Sequence, residues 1–128
     1  MSSEAWQSAK SSYESVLKIS RLRYTYLALM PWLIDQIIES KYASLFFPGM
    51  SHMNLFIQPT FELNIDKHHW IVIHPKVNWF TLHYCYSDVQ DTFLYDEYKV
   101  FLKADARNII LKLMERLEQW KSINLHIQ

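Results

Sequence analysis

The sequence predicts an α+β fold in which helices cover one face of an antiparallel sheet, and three observations carry that expectation. Apolar residues recur at three- and four-residue steps in the first third of the chain and again at its end, the period of amphipathic helices. Between residues 53 and 100 the period falls to two, in runs rich in Val, Ile, Thr and aromatic residues. Strands gathered between helices, rather than alternating with them, favour a sheet with helices on one side. At 128 residues the chain is read as a single domain, 1–128: two N-terminal helices or one kinked at Pro31, a four-stranded antiparallel meander, and a C-terminal helix packed on one sheet face.

From residue 3 to about residue 30, Trp6, Ala9, Tyr13, Val16, Leu17, Tyr24, Leu27 and Ala28 fall on one helical stripe. Ser3 offers an N-cap, while Ser11 with Glu14 offers capping-box spacing for a later start. Pro31 either kinks this helix or sits in the first turn of a second one reaching about residue 42, with Leu33, Ile34, Ile37 and Ile38 as its buried stripe. Pro48-Gly49 reads as a turn. A first strand then carries Met53, Leu55 and Ile57, is interrupted at Pro59, and resumes with Phe61, Leu63 and Ile65. Residues 69–74 and 78–87 form a hairpin about Pro75-Lys76-Val77, and a fourth strand covers residues 92 to about 100. The last helix runs from about Asp105 to about Lys121, with Ile109, Ile110, Leu113, Met114, Leu117 and Trp120 on its apolar face.

Turn placement then assigns the sheet faces. Leu63 and Phe61 are expected opposite Ile71 and Ile73, and Ile73 and Ile71 opposite Phe80 and Leu82, so these six residues make the core-facing side. The other side carries Glu62, Trp70, His74, Trp79 and His83, with His74 opposite Trp79 and Trp70 opposite His83. Such a Trp/His face is a candidate ligand or catalytic surface, although cross-strand aromatic pairs also stabilise a sheet with no ligand at all. One register of the fourth strand sets Asp96 opposite His83, a pairing able to orient an imidazole.

Composition narrows the chemistry. Lys plus Arg and Asp plus Glu number 13 each, so bulk attraction to nucleic acid is not expected. Gly49 is the only glycine, which excludes phosphate loops, nucleophile elbows and dinucleotide fingerprints. Cys85 stands alone, so no intrachain disulfide forms, and a reducing cytoplasm is expected. The N-terminus lacks the pattern of a signal peptide, and the longest apolar run is nine residues, so no membrane association is expected. His69 falls on the opposite face from His74 and His83, which leaves no converging ligand set; no metal and no cofactor are expected. Nor does Cys85 have partners that would make it a nucleophile.

Asp88, Asp91, Asp96 and Glu97 crowd ten residues without a base, with Phe93 and Tyr95 between them. A signed hairpin end flanked by aromatics suits recognition of a cationic partner protein. Small, neutral and α+β, with this acidic-aromatic hairpin and no catalytic constellation, the chain resembles in build the bacterial toxin-immunity proteins of the contact-dependent-inhibition type. That resemblance implies a protein-binding inhibitor, not an enzyme, that neutralises a cognate toxin domain in the bacterial cytoplasm. The alternative is a small-ligand binder or enzyme using Trp70, His74, Trp79 and His83, with Glu62 or Asp96 as the orienting acid; a homodimer would use the same face.

Overall fold

Trp6, Ala9, Tyr13 and Leu17 form the buried stripe of the first helix, α1 (Ser2–Ile19), in a computed structural model that describes residues 2–60, 69–87 and 92–124. The Trp6 Nε1–H donates to the Phe46 carbonyl at 3.1 Å and the Tyr13 hydroxyl to the Met53 carbonyl at 2.8 Å, so two ring-bearing residues tie α1 to the sheet. The helix ends at Ile19 rather than near Met30. Ser20 and Thr25 compete for the local backbone: Ser20 Oγ accepts from the Arg23 N–H at 3.2 Å, and Thr25 Oγ1 donates to the Arg21 carbonyl at 2.7 Å. A 3-10 turn, Thr25–Leu27, leads to α2 (Met30–Ile38), where Pro31 occupies the first turn and Met30, Leu33, Ile34 and Ile37 are buried. Ser40 stops α2 short of residue 42, since its hydroxyl donates to the Ile37 carbonyl and accepts from the Tyr42 N–H, opening a second 3-10 turn, Lys41–Ser44.

Among the described residues the sheet has five antiparallel strands in sequence order, not four: β1 (Phe47–Ser51), β2 (Asn54–Gln58), β3 (Trp70–Lys76), β4 (Trp79–Ser87) and β5 (Phe93–Val100). Pro48-Gly49 lies inside edge strand β1, where a missing N–H is tolerated, and Gly49 has no positive φ. The turn sits instead at His52-Met53, with φ of 53° and 68°, the paired left-handed geometry of a tight two-residue hairpin between Ser51 and Asn54. Ile73 and Ile71 pair with Leu55 and Ile57 of β2. β2 thus takes the place beside β3 expected for Phe61 and Leu63, and those two residues lie outside the described residues.

The β3–β4 turn is Val77-Asn78, with Asn78 at φ 65°. Asn tolerates the left-handed region, so the loop closes in two residues and the register shifts by two from expectation. Ile73 pairs with Leu82, Ile71 with Tyr84, His74 with Thr81 and Trp70 with Cys85. A shift of two preserves which face each side chain occupies. Pro75 is accommodated because β2 pairing ends at Ile73.

The C-terminal helix α3 (Lys103–Asn124) buries Ala106, Ile110, Leu113, Met114 and Leu117. It lies over β3, β4 and β5, while α1 packs beside β1. Leu55, Ile57, Ile71, Ile73, Leu82 and Tyr84 meet the helices in one buried cluster, the core of the fold. On the opposite sheet face Trp70, Val72 and Cys85 form a smaller buried cluster with Phe56 against it. Among the described residues no helix is long and apolar enough to cross a membrane.

Candidate functional site

Among the described residues β5 is the last strand of the sheet, paired with β4 from Ser87↔Phe93 to Phe80↔Val100. Alternation divides its side chains. Phe93, Tyr95, Glu97 and Lys99 share the helix-free face with Trp79, Thr81, His83 and Cys85 of β4, whereas Leu94, Asp96 and Tyr98 share the other. The expected protein-binding set is therefore split between two faces, and Asp88 and Asp91 lie outside the described residues. Glu62, from the alternative set, lies outside them too.

Rings form a continuous track across the helix-free face. Trp70 contacts Phe93 at 5.4 Å between centroids, Phe93 contacts Tyr95 at 6.4 Å, Tyr95 stacks on His83 at 4.6 Å, and His83 meets His74 at 4.5 Å. Trp70 is only 4% exposed and serves as a floor, while Phe93 and Tyr95 are 50% and 51% exposed at the strand edge. Trp79, half-buried, stacks on the exposed Phe101 at 5.2 Å. Rigid aromatic area of this kind loses little rotamer entropy on binding.

His83 is faced by Glu97, not Asp96. The register sets His83 opposite Glu97, with His83 Nε2 3.5 Å from Glu97 Oε2, and Tyr84 opposite Asp96. His83 Nε2 is enclosed with no hydrogen-bond partner among the described residues, and the Glu97 carboxylate is the acidic group that faces it. On its other side His83 Nδ1 lies 3.2 Å from His74 Nε2. A proton on His83 Nε2, toward Glu97, makes Nδ1 the acceptor for a His74 Nε2–H; this tautomer follows from the partners. Burial, then the neighbouring His83 and Lys76, push the His74 pKa below its ordinary value, with Glu97 opposing.

Asp96 belongs to a different network, beneath α3. Arg116 Nη1 pairs with Asp96 Oδ2 at 2.6 Å, the Tyr86 hydroxyl donates to Asp96 Oδ1 at 3.3 Å, and the Arg116 guanidinium lies 3.9 Å from the Tyr84 ring centroid. Its charge is compensated, so it contributes little to an acidic field at the hairpin end. Cys85 is buried, and burial pushes its thiol up to about 12, the condition of an unreactive core cysteine.

No group of three His, Cys, Asp or Glu is placed to hold a metal among the described residues. Lys76 and Lys99, which flank the His74–His83 pair, were not singled out by sequence reasoning. Asn78 was the available signal: a left-handed Asn closing a two-residue loop fixes the β3–β4 register and hence the row in which each falls. No protein-family model, curated protein or solved structure matches the chain.

Proposed function

We propose that the chain is a protein-binding inhibitor of the toxin-immunity type, acting in the bacterial cytoplasm by docking a cognate toxin domain along β5. One observation supports this reading above the others: β5 is a terminal strand of the described sheet and carries Phe93, Leu94, Tyr95 and Tyr98 exposed by a third to a half. An edge strand offers unpaired N–H and C=O groups to an incoming chain, and sheets without partners blunt such edges with charge, proline or a covering element. Strand β5 does carry charge, at Asp96, Glu97 and Lys99, but sets four large exposed apolar or aromatic side chains among them. Trp70 beneath Phe93 and His83 beneath Tyr95 hold the two exposed rings in place, which favours hot-spot contacts.

Attraction of a cationic partner rests on Asp88 and Asp91, since Asp96 is paired with Arg116 and Glu97 lies against His83 in a cavity shared with Lys76 and Lys99. The test uses immobilised chain and extract of its own source cell, comparing wild type with Tyr95→Arg and Phe93→Arg. Support is a polypeptide held stoichiometrically by wild type, released by both variants, and whose own toxic activity is blocked by adding the free chain. Retention equal for wild type and variants, or a retained polypeptide whose activity continues unchanged, contradicts the reading. Size measurement of the chain alone distinguishes self-association through β5, which would give a concentration-dependent dimer.

A further inference from the structure

The helix-free face is arranged in cross-strand rows that bring basic groups together next to the β3–β4 turn. One row is Lys76 of β3 opposite Trp79 of β4; the next runs His74, Thr81, Lys99 across β3, β4 and β5; the third has Val72, His83, Glu97. Strands lie roughly 5 Å apart, so His74 and Lys99 flank Thr81 in its row and Lys76 stands in the adjacent row on the same face. They line a shallow cavity of about 340 Å³ together with Trp79, His83 and Glu97.

The charges in that cavity do not balance. Glu97, its one carboxylate, lies against His83 at 3.5 Å, whereas neither Lys76 nor Lys99 has a carboxylate partner among the described residues. His74 uses Nε2 toward His83 and keeps its second ring nitrogen for something else. In a chain of zero net charge, two unpaired ammonium groups beside a pair of imidazoles form a local positive site. Its volume is at the small end of the roughly 300–1,000 Å³ usual for ligand sites, and Trp79, backed by Phe101, supplies one apolar wall.

We propose that this cavity binds a small phosphate monoester dianion, with Lys76 and Lys99 clamping its oxygens, His74 donating a hydrogen bond, and Trp79 meeting its organic group. The ligand supplies the negative charge that the site lacks. In the free protein, burial, His83 and Lys76 disfavour the charged form of His74, and only Glu97 favours it; Tyr95 and Lys99 complete the titratable surroundings. A bound dianion reverses that balance, so binding takes up a proton on His74 and tightens as pH falls toward 6.5. No covalent step is involved.

Phenyl phosphate and inorganic sulfate are the probes, titrated calorimetrically at pH 8 and pH 6.5 with imidazole protons followed by NMR. Sulfate stays dianionic throughout, so its pH dependence reports the protein alone. The expected result is saturable one-to-one binding, tighter at pH 6.5, with tighter binding of phenyl phosphate than of sulfate. Lys76→Ala and Lys99→Ala should each weaken it about tenfold or more, as the loss of a charge-assisted contact does, and His74→Gln should remove the pH dependence for sulfate. These side chains are at the surface or half-buried, and an unchanged unfolding midpoint verifies that each variant folds. Absence of saturable binding at 10 mM probe (roughly a 3 kcal/mol ceiling on affinity), or binding indifferent to Lys76→Ala and Lys99→Ala, overturns the proposal. The partner reading is tested separately, because Phe93→Arg should leave phenyl phosphate binding intact.

Discussion

Partial burial of the His74 ring, then the neighbouring His83 and Lys76, push its folded pKa below the ordinary value of 6.5. The sign follows from linkage: the unfolded chain binds this proton more readily, so the contribution to stability is whole above pH 6.5 and is lost as pH falls below it. Urea midpoints taken from pH 8 to pH 5 should therefore decline below 6.5, and His74→Gln should show a shallower decline; an identical slope would mean His74 is not the group responsible. Cys85 gives a second residue-scale expectation. With its thiol pushed up to about 12, native protein at pH 8 should resist iodoacetamide while urea-unfolded protein reacts at once, as mass measurement would reveal. Rapid native labelling would contradict the buried second cluster of Trp70, Val72 and Cys85.

At the scale of elements, turns decide more than strand composition does. His52 and Met53 both hold positive φ without being glycine, a conformation that costs L-residues roughly 1–2 kcal/mol each. Met53 packs against the core and its carbonyl accepts from Tyr13, whereas His52 is exposed. His52→Gly should accordingly stabilise the protein by about 0.5–1 kcal/mol, the relief of strain exceeding the added entropy of the unfolded chain. A loss of stability would place the strain elsewhere. The central strand β4 gives the opposite sign: Leu82 is fully buried opposite Ile73, and Leu82→Ala should cost about 2–5 kcal/mol in denaturant unfolding. A cost below about 0.5 kcal/mol would mean that this face does not meet the helices.

For the molecule as a whole, periodicity made the fold class legible. The stripes of Trp6–Tyr13–Leu17 and Ile110–Leu113–Leu117, and the alternation of Ile71, Ile73 and Leu82, all face one core. What periodicity could not supply was where each element stops. Ser20 and Ser40 follow the ends of α1 and α2 and make hydroxyl contacts with the backbone, as Thr25 does in the turn between them, and such contacts leave no trace in an apolar stripe. Pro48-Gly49 has turn composition yet lies in an edge strand, while the turn falls on His52-Met53, whose side chains carry no such signal. Because the β3–β4 register differs from expectation by two residues, Trp70, His74, Trp79 and His83 share one face as expected but have other partners. Glu97 rather than Asp96 faces His83, and Asp96 turns to Arg116. The acidic hairpin end thus loses one of its carboxylates to an internal ion pair, and the case for β5 as an interface passes to its exposed rings and to its place at the end of the described sheet.

That case is tested most directly by the kinetics of the captured partner on wild type, Tyr95→Ala and Trp79→Ala, each with an unchanged unfolding midpoint. Tyr95 is half exposed on β5, and Trp79 lies on β4 at the far end of the same face, so the two truncations separate the strand edge from the cavity. The expected result is faster dissociation for Tyr95→Ala by about tenfold or more, with Trp79→Ala close to wild type, and slower association when Asp88 and Asp91 are both changed to Lys at low salt. Dissociation unaltered by Tyr95→Ala, with binding abolished by Trp79→Ala, would move the interface off β5 and contradict the proposed mode of docking.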